Sequence, residues 1–278
     1  MNDYYYFSRN TGWGDTLWHL TNALMHCEQN NKGMLIDMRG HWASEGDSNL
    51  FSEYFHRIDT DIEVIINEEY IDQLKKDAEQ HSDSILVIKN PLKSKEDSKK
   101  FYDTFDRISV HGTIAKEIDE IREKYFSGNY VVGVHARTSN GEVLPQKTGN
   151  SNRFQGEKNA IQTIFDIYKE KIDQVLFNSP RAFLKACDNY KFFVATDSKQ
   201  FVELFEKEYG NTIVTERYFA PPGCGTGHEK GEQSTKIQLD MEDTYGRINI
   251  AKEALVDFYL LQYTNFLFKN FSRFNEFC

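Results

Sequence analysis

Between Tyr130 and Val143 the chain reads Y-V-V-G-V-H-A-R-T-S-N-G-E-V, and this stretch restricts the fold more than any other. Val131, Val132, Gly133, Val134 and Ala136 form a short run with little polar alternation. Such a run suits a strand covered on both faces, as in a parallel sheet. It ends abruptly in His135, Arg137, Asn140, Gly141 and Glu142. In open α/β sheets, ligands bind just beyond the carboxyl ends of the strands. An imidazole, a guanidinium and a carboxylate delivered together at such an end are therefore candidate binding groups. H-x-R is a short motif, and a charged loop that happens to follow a strand is the competing reading.

Strand and helix patterns alternate on both sides of this stretch. Short strands are predicted at Tyr4 to Phe7, Met34 to Met38, Ile62 to Ile66 and Ile85 to Ile88. Helices are predicted from near Asp15, with Leu17, Leu20 and Leu24 on one face, from Glu68 to about Gln80, and from about Ile114 to Tyr125. Ser127-Gly128-Asn129 reads as a helix stop and a domain junction. The pattern then restarts, with strands at Tyr130 to His135, Lys191 to Ala195, Thr212 to Thr215 and Asn265 to Lys269. Between them fall helices at about Asn159 to Val175, Lys199 to Tyr209 and Thr244 to Leu261. Thr138 to Arg153 and the Gly-rich segment Phe219 to Glu232 read as loops. Two successive sets of βα units imply two Rossmann-like halves, 1–128 and 129–278, facing a cleft. A single large doubly wound sheet is the alternative that periodicity leaves open.

Composition limits the partners. The chain of 278 residues carries 33 Lys and Arg against 43 Asp and Glu, a net charge of −10. That balance disfavours a general nucleic-acid or acidic-membrane binder, so an anionic ligand needs a local cluster of bases. With 21 Phe and 15 Tyr, a large aromatic core is available. Cys27, Cys187, Cys224 and Cys278 form no C-x-x-C pair, which suits reduced thiols in a cytoplasmic protein. The N-terminal residues lack the apolar core of a signal peptide, and no segment reaches membrane-spanning length. Peripheral association with a membrane stays open.

Several residues can carry chemistry. The planar fork of Arg137 can grip two phosphate oxygens at once; a salt bridge is its bland alternative. His135 suits a nucleotide hydrogen bond or a satisfied core position. Asp197, followed by Ser198 in F-V-A-T-D-S, repeats the pattern of an apolar strand meeting polar residues. It can orient Arg137 or cap the helix that follows, a common use of Asp and Ser. Asp257 stands in A-L-V-D-F-Y-L-L, where an acid needs a strong donor if it is buried. Adjacent guanine N–H groups are one such donor, and a solvent-facing position is the competing reading. Glu142 follows Gly141 in a loop and suits a general base whose reach is set by loop closure. Gly12 and Gly14 precede a helix, as in loops whose amides approach phosphate. No H-E-x-x-H, Walker lysine, G-x-S-x-G or carboxylate pair ahead of a variable loop is recognised, so metal-dependent and serine-hydrolase chemistries lack support.

Taken in order, these segments resemble the α-1,6-fucosyltransferase group, in particular its rhizobial nodulation fucosyltransferase branch. V-G-V-H-A-R-T-S-N-G-E is similar to that branch's G-V-H-x-R-x-x-N-G-E motif. L-I-D-M-R-G with N-L-F-S-E-Y-F is similar to its N-terminal domain, while F-V-A-T-D-S and A-L-V-D-F-Y-L-L followed by F-S-R-F resemble its later motifs. The Pro-Pro-Gly loop ending in His228 also fits. The resemblance runs from about Gly12 to Phe274. It implies an α/β fold of GT-B type, with an N-terminal acceptor-side domain and a C-terminal nucleotide-sugar domain. It also implies an inverting glycosyltransferase, with a GDP-sugar as donor substrate, a glycan as acceptor, and no cofactor or metal. By position, Arg137 would hold the β-phosphate, and His135 and Asp257 would meet guanine or its ribose. Asn140, Asp197, Ser198, Gly12 and Gly14 would complete the nucleotide site, with Ser272 on a phosphate oxygen. Glu142 would be the base, and the loop carrying His228 would close over the acceptor. Animal members carry a second arginine where this chain has Thr138. Related members also often show paired hydroxyl residues around Ser272, where this chain has Asn270 and Phe271 before it. A transferase using another donor for bacterial surface glycans, and a nucleotide-binding relative without catalysis, are the alternatives.

Overall fold

The computed structural model describes residues 4–41, 43, 48–81, 85–87, 98–138, 160–178, 189–219 and 246–269. They form two compact units that divide between Glu117 and Ile118.

In the first unit, β1 (Tyr4–Phe7), β2 (Gly33–Ile36), β4 (Val64–Ile65) and β5 (Ile85–Val87) make one parallel sheet in the order β4-β2-β1-β5. The chain runs outward from β1 through β2 to β4, then returns to β1's other edge with β5. The strand order therefore reverses between β1 and β5. Helix α1 (Trp13–Gln29) buries Leu17, Leu20 and Leu24, the apolar face read from the sequence. Helix α3 (Glu68–His81) starts at the predicted residue. The predicted strand from Ile62 to Ile66 shortens to the two residues of β4, and the Ile62 N–H instead donates to the Thr60 hydroxyl at 3.4 Å.

Four short elements escape the periodicity. Helix α2 (Leu50–Tyr54), capped by the Asn49 side chain, leads into β3 (Phe55–Ile58). Helix α4 (Ser98–Phe105) precedes β6 (Ile108–Val110), and β3 and β6 pair antiparallel across a register shift. Each is too brief to show a period above background. Helix α5 (Gly112–Ile121) ends in a π-helical turn, Arg122–Phe126, and the predicted stop follows, with Gly128 at φ +73°.

The second unit repeats the plan. Its strands are β7 (Tyr130–Ala136), β8 (Tyr190–Thr196), β9 (Thr212–Ile213) and β10 (Phe266–Lys269), all parallel in the order β10-β7-β8-β9. Helix α6 (Ala160–Ile172) closes in a second π-helical turn, Asp173–Phe177; α7 spans Lys199–Tyr209 and α8 spans Gly246–Gln262. The strand order reverses between β7 and β10. Two separate parallel sheets, one per unit, replace the alternative of one large sheet. Val132, Val134, Phe165, Tyr168, Phe192, Val194, Phe201 and Phe205 share one core. Phe165 and Phe201 meet edge to face at 5.9 Å, and Phe192 and Phe205 at 5.1 Å. Each buried ring contributes about 1.5–3 kcal/mol. Gly133 has a specific reason inside β7. A Cβ there would stand 2.8 Å from Thr264 Oγ1 and 2.9 Å from Leu267 Cδ1, so any other residue would have to displace these side chains of β10 and its leading turn.

Candidate functional site

The candidate site is the carboxyl end of the second sheet. In the β7–β8 register Ala136 lies opposite Thr196, so Arg137 and Asp197 leave neighbouring strands at the same level. Arg137 is partly buried between buried neighbours, Ala136 and Thr138. His135 is buried on β7, and its carbonyl accepts a hydrogen bond from the Tyr168 hydroxyl of α6. Burial, helped by the Asp197 carboxylate, raises the Tyr168 phenol pKa and keeps the group a neutral donor.

Asp197 crosses to the other strand end. Its Oδ1 accepts from the Thr138 N–H at 2.8 Å and from the Thr138 hydroxyl at 2.6 Å. Its Oδ2 is buried without a hydrogen-bond partner. An unpartnered buried acceptor is expensive unless a ligand or water completes it. Of the two caps the sequence allowed, the structure uses Ser198: its Oγ accepts from the Phe201 N–H at 3.3 Å, so Asp197 is left to bond Thr138. Ser198 is fully buried in that role.

Asp257 on α8 is 3 % exposed, which rules out the solvent-facing reading. The strong donor that burial demands is inside the chain. Its Oδ2 forms an ion pair with Arg217, and its Oδ1 accepts from the Thr215 hydroxyl at 2.9 Å. Each carboxylate oxygen thus has a partner within the chain. Arg217 also donates to the Thr215 hydroxyl and, through Nη1, to the Thr196 carbonyl at 3.2 Å. Sequence reasoning missed Arg217, Thr215 and Tyr168. The one available signal was alternation, since Thr215, Arg217 and Phe219 are spaced by two.

In the first unit, Gly12 is extended (φ −62°, ψ 158°) immediately before α1, and its carbonyl accepts from the Thr16 N–H at 2.9 Å. Gly14 is buried in the first turn. The G-x-G pair therefore opens a helix, as expected. His41 steadies this turn. Its Nδ1 accepts from the Ala43 N–H at 3.2 Å, so Nε2 carries the hydrogen donated to the Thr11 carbonyl at 2.9 Å. Burial lowers this imidazole to about 4, against the opposing effect of the Thr11 bond.

Beyond β2 lies a charge network that sequence reasoning also missed. Asp37 accepts from Arg39 Nε and Nη2, from Lys75 and from the Tyr6 hydroxyl, all at 2.8 Å. Arg39 reaches on to Asp72 through two bonds of 2.9 and 2.7 Å. Burial pushes the Asp37 carboxyl up, but these donors outweigh it and hold the group far below the ordinary carboxylate range.

Asn140, Glu142, His228 and Ser272 lie outside the described residues, as does the Pro222 to Gly231 loop. The chain holds one D-x-D triplet, Asp59-Thr60-Asp61, which leads into β4 and not into a variable loop. Both acids are exposed; the Thr60 hydroxyl donates to Glu28 at 2.6 Å and the Asp59 N–H to the Arg107 carbonyl at 3.0 Å. Among the described residues, no group of three or more His, Cys, Asp or Glu is placed to hold a metal ion. No helix among them is long and apolar enough to cross a membrane.

The chain is similar throughout its length to solved fucosyltransferases. Fucosyltransferase NodZ from Bradyrhizobium superposes with a TM-score of 0.66 at 18 % identity, covering all of this chain and 92 % of that one. NodZ α-1,6-fucosyltransferase soaked with GDP-fucose gives 0.65 at 18 % identity, over 100 % and 91 %. A mutant of Arabidopsis thaliana FUT1 in complex with GDP gives 0.55 at 10 % identity, over 99 % and 67 %. These likenesses establish the GT-B fold. In sequence, Nodulation protein Z of Bradyrhizobium diazoefficiens is 23 % identical over 266 residues, spanning 82 % of this chain and 68 % of that protein. Nodulation protein Z of Azorhizobium caulinodans is 29 % identical over 125 residues, 45 % of this chain and about a third (34 %) of its own length. The profile of the Nodulation protein Z (NodZ) family matches residues 60–268. With two parallel sheets and the H-x-R strand end in place, the chain belongs to the Nodulation protein Z family.

Proposed function

We propose that the chain is a glycosyltransferase that moves L-fucose from GDP-fucose to a hydroxyl of a glycan, inverting the anomeric centre without a divalent metal. The observation that carries this reading is Arg137, a guanidinium at the carboxyl end of the strand beside the sheet's reversal point, where open α/β sheets bind ligands. A related protein of the same family has been soaked with GDP-fucose, which supports the choice of donor.

The chemistry is a single in-line displacement with an oxocarbenium-like transition state. The acceptor oxygen bonds to the anomeric carbon as the bond to the diphosphate oxygen breaks, and the electron pair leaves with GDP. Arg137 stabilises that developing charge with a fixed, planar pair of donors, which need no reorganisation as the charge grows. Glu142 takes the acceptor proton. His135 faces the nucleoside, and Asn140, Ser198 and Ser272 complete the donor site. The 1–128 half serves the acceptor and the 129–278 half the nucleotide sugar. The protein works in the cytoplasm, and the His228 loop covers the acceptor.

The test is thermal shift and calorimetry with GDP, UDP and dTDP, in EDTA and in added Mg²⁺. GDP alone should stabilise the protein, equally in both buffers, and GDP-fucose should be turned over when glycan acceptors are supplied. Preference for UDP, or binding abolished by EDTA, would overturn the assignment.

A further inference from the structure

We propose that Arg217 is a positioning residue that, anchored by Asp257, fixes the end of β8 and through it the strand end that presents Arg137; this rests on the functional reading above. The connections are continuous. Asp257 holds Arg217 by an ion pair, with the Thr215 hydroxyl bonded to both. Arg217 donates to the Thr196 carbonyl, the last of β8. The next residue, Asp197, accepts two hydrogen bonds from Thr138, which directly follows Arg137.

Two features separate this from ordinary core packing. The Arg217 side chain is 9 % exposed and that of Asp257 4 %, so both charges have given up most of their hydration. Apolar side chains of similar volume often fill such a place at no loss of stability, which makes a buried pair weak support for a purely stabilising role. The pair is also incomplete: Arg217 Nε is buried with no hydrogen-bond partner, as is Asp197 Oδ2 one residue beyond the carbonyl that Arg217 holds. A device optimised for stability alone would leave neither. What Arg217 supplies, and an apolar residue cannot, is a donor to the Thr196 carbonyl from a group whose own position is fixed from α8.

The experiment compares wild type, Arg217→Lys and the double variant Arg217→Met/Asp257→Leu in the full chain. Three quantities are read: melting temperature, hydrogen exchange at the Thr138 amide without nucleotide, and the dissociation constant for GDP. The double variant removes both buried charges together, so it should melt within a few degrees of wild type. Its Thr138 amide should nevertheless exchange at least about tenfold faster, with Val132 and Val134 still protected, and GDP should bind about tenfold more weakly. Arg217→Lys keeps the charge beside Asp257 but loses the fork that also reaches Thr196, and should show the same two losses. It serves as the test if the double variant does not fold. Wild-type exchange at Thr138 in a folded variant of either kind would overturn the proposal, as would restored GDP affinity in the double variant, which a merely structural pair predicts. Failure of wild type to bind GDP would instead remove the nucleotide reading and leave Thr138 exchange to decide the positioning claim.

Discussion

The carboxyl ends of the two sheets hold similar residue types and treat them differently. Beyond β2, Asp37 is surrounded by Arg39, Lys75 and Tyr6, and Arg39 is shared with Asp72, so positive and negative groups are closed on one another. Among the described residues of the first unit, no buried side-chain nitrogen or oxygen lacks a hydrogen-bond partner. Beyond β7 and β8, by contrast, Asp197 Oδ2 and Arg217 Nε are buried and unsatisfied. A closed network stabilises and offers nothing further to a ligand, whereas an open one gives up stability that a ligand can restore. The difference supports the proposal that the second cluster, and not the first, serves binding, although both occupy the position where α/β sheets bind ligands.

That contrast can be broken most forcefully at Arg137. Arg137→Ala should remove about 2.7–4 kcal/mol of transition-state stabilisation, by analogy with loss of one oxyanion donor. Steady-state transfer from GDP-fucose should fall by about 10²–10³-fold, with the melting temperature little changed, and Arg137→Lys should recover little. A near-normal rate in Arg137→Lys would mean that bidentate phosphate contact is the wrong picture.

The next effect belongs to the first unit and to pH. His41 titrates near 4 in the folded chain, below its ordinary value of 6.5. The unfolded chain therefore takes up this proton first as pH falls. Stability from the neutral imidazole is fully present above about pH 6.5 and is lost as pH drops toward 4, a span worth roughly 3 kcal/mol. Urea unfolding of His41→Gln against wild type at pH 7.5, 5.5 and 4.5 should show the gap closing as pH falls. A gap independent of pH would show that His41 is not held neutral.

The smallest effect sharpens the comparison most. Asp37→Asn should destabilise the chain by about 1.5–3 kcal/mol, the range for hydrogen bonds to a charged group, because Arg39 and Lys75 lose their shared acceptor but are partly exposed and can rehydrate. Its dissociation constant for GDP should stay at the wild-type value. A loss of GDP affinity without loss of stability would reverse the roles given to the two clusters.

Much of the architecture was legible because it depends on local pattern. The strands from Tyr4, Tyr130 and Asn265 and the helices from Glu68, Lys199 and about Thr244 lie within a residue or two of their predicted places, since a run of buried residues and its caps sit in adjacent positions. Helix α2 with β3, and α4 with β6, were not legible: the two strands pair with one another across the 49 residues between Ile58 and Ile108, and neither segment repeats a period. At the site, Arg137 and Asp197 could be selected because each stands where an apolar run ends. Arg217 could not, because T-E-R-Y resembles any exposed connection and its charged partner, Asp257, comes from α8.

The sequence by itself determined two βα series and the strand ends that carry His135, Arg137 and Asp197. Only the tertiary structure decided what those groups meet. Ser198 rather than Asp197 caps α7, the Thr138 N–H and hydroxyl donate to Asp197 Oδ1, and Arg217 and Thr215 meet the Asp257 carboxylate. The physical reason is range. Periodicity and capping act over a few residues, whereas a buried charge finds its partner among all the groups that folding brings within about 3 Å, and those can come from any part of the chain.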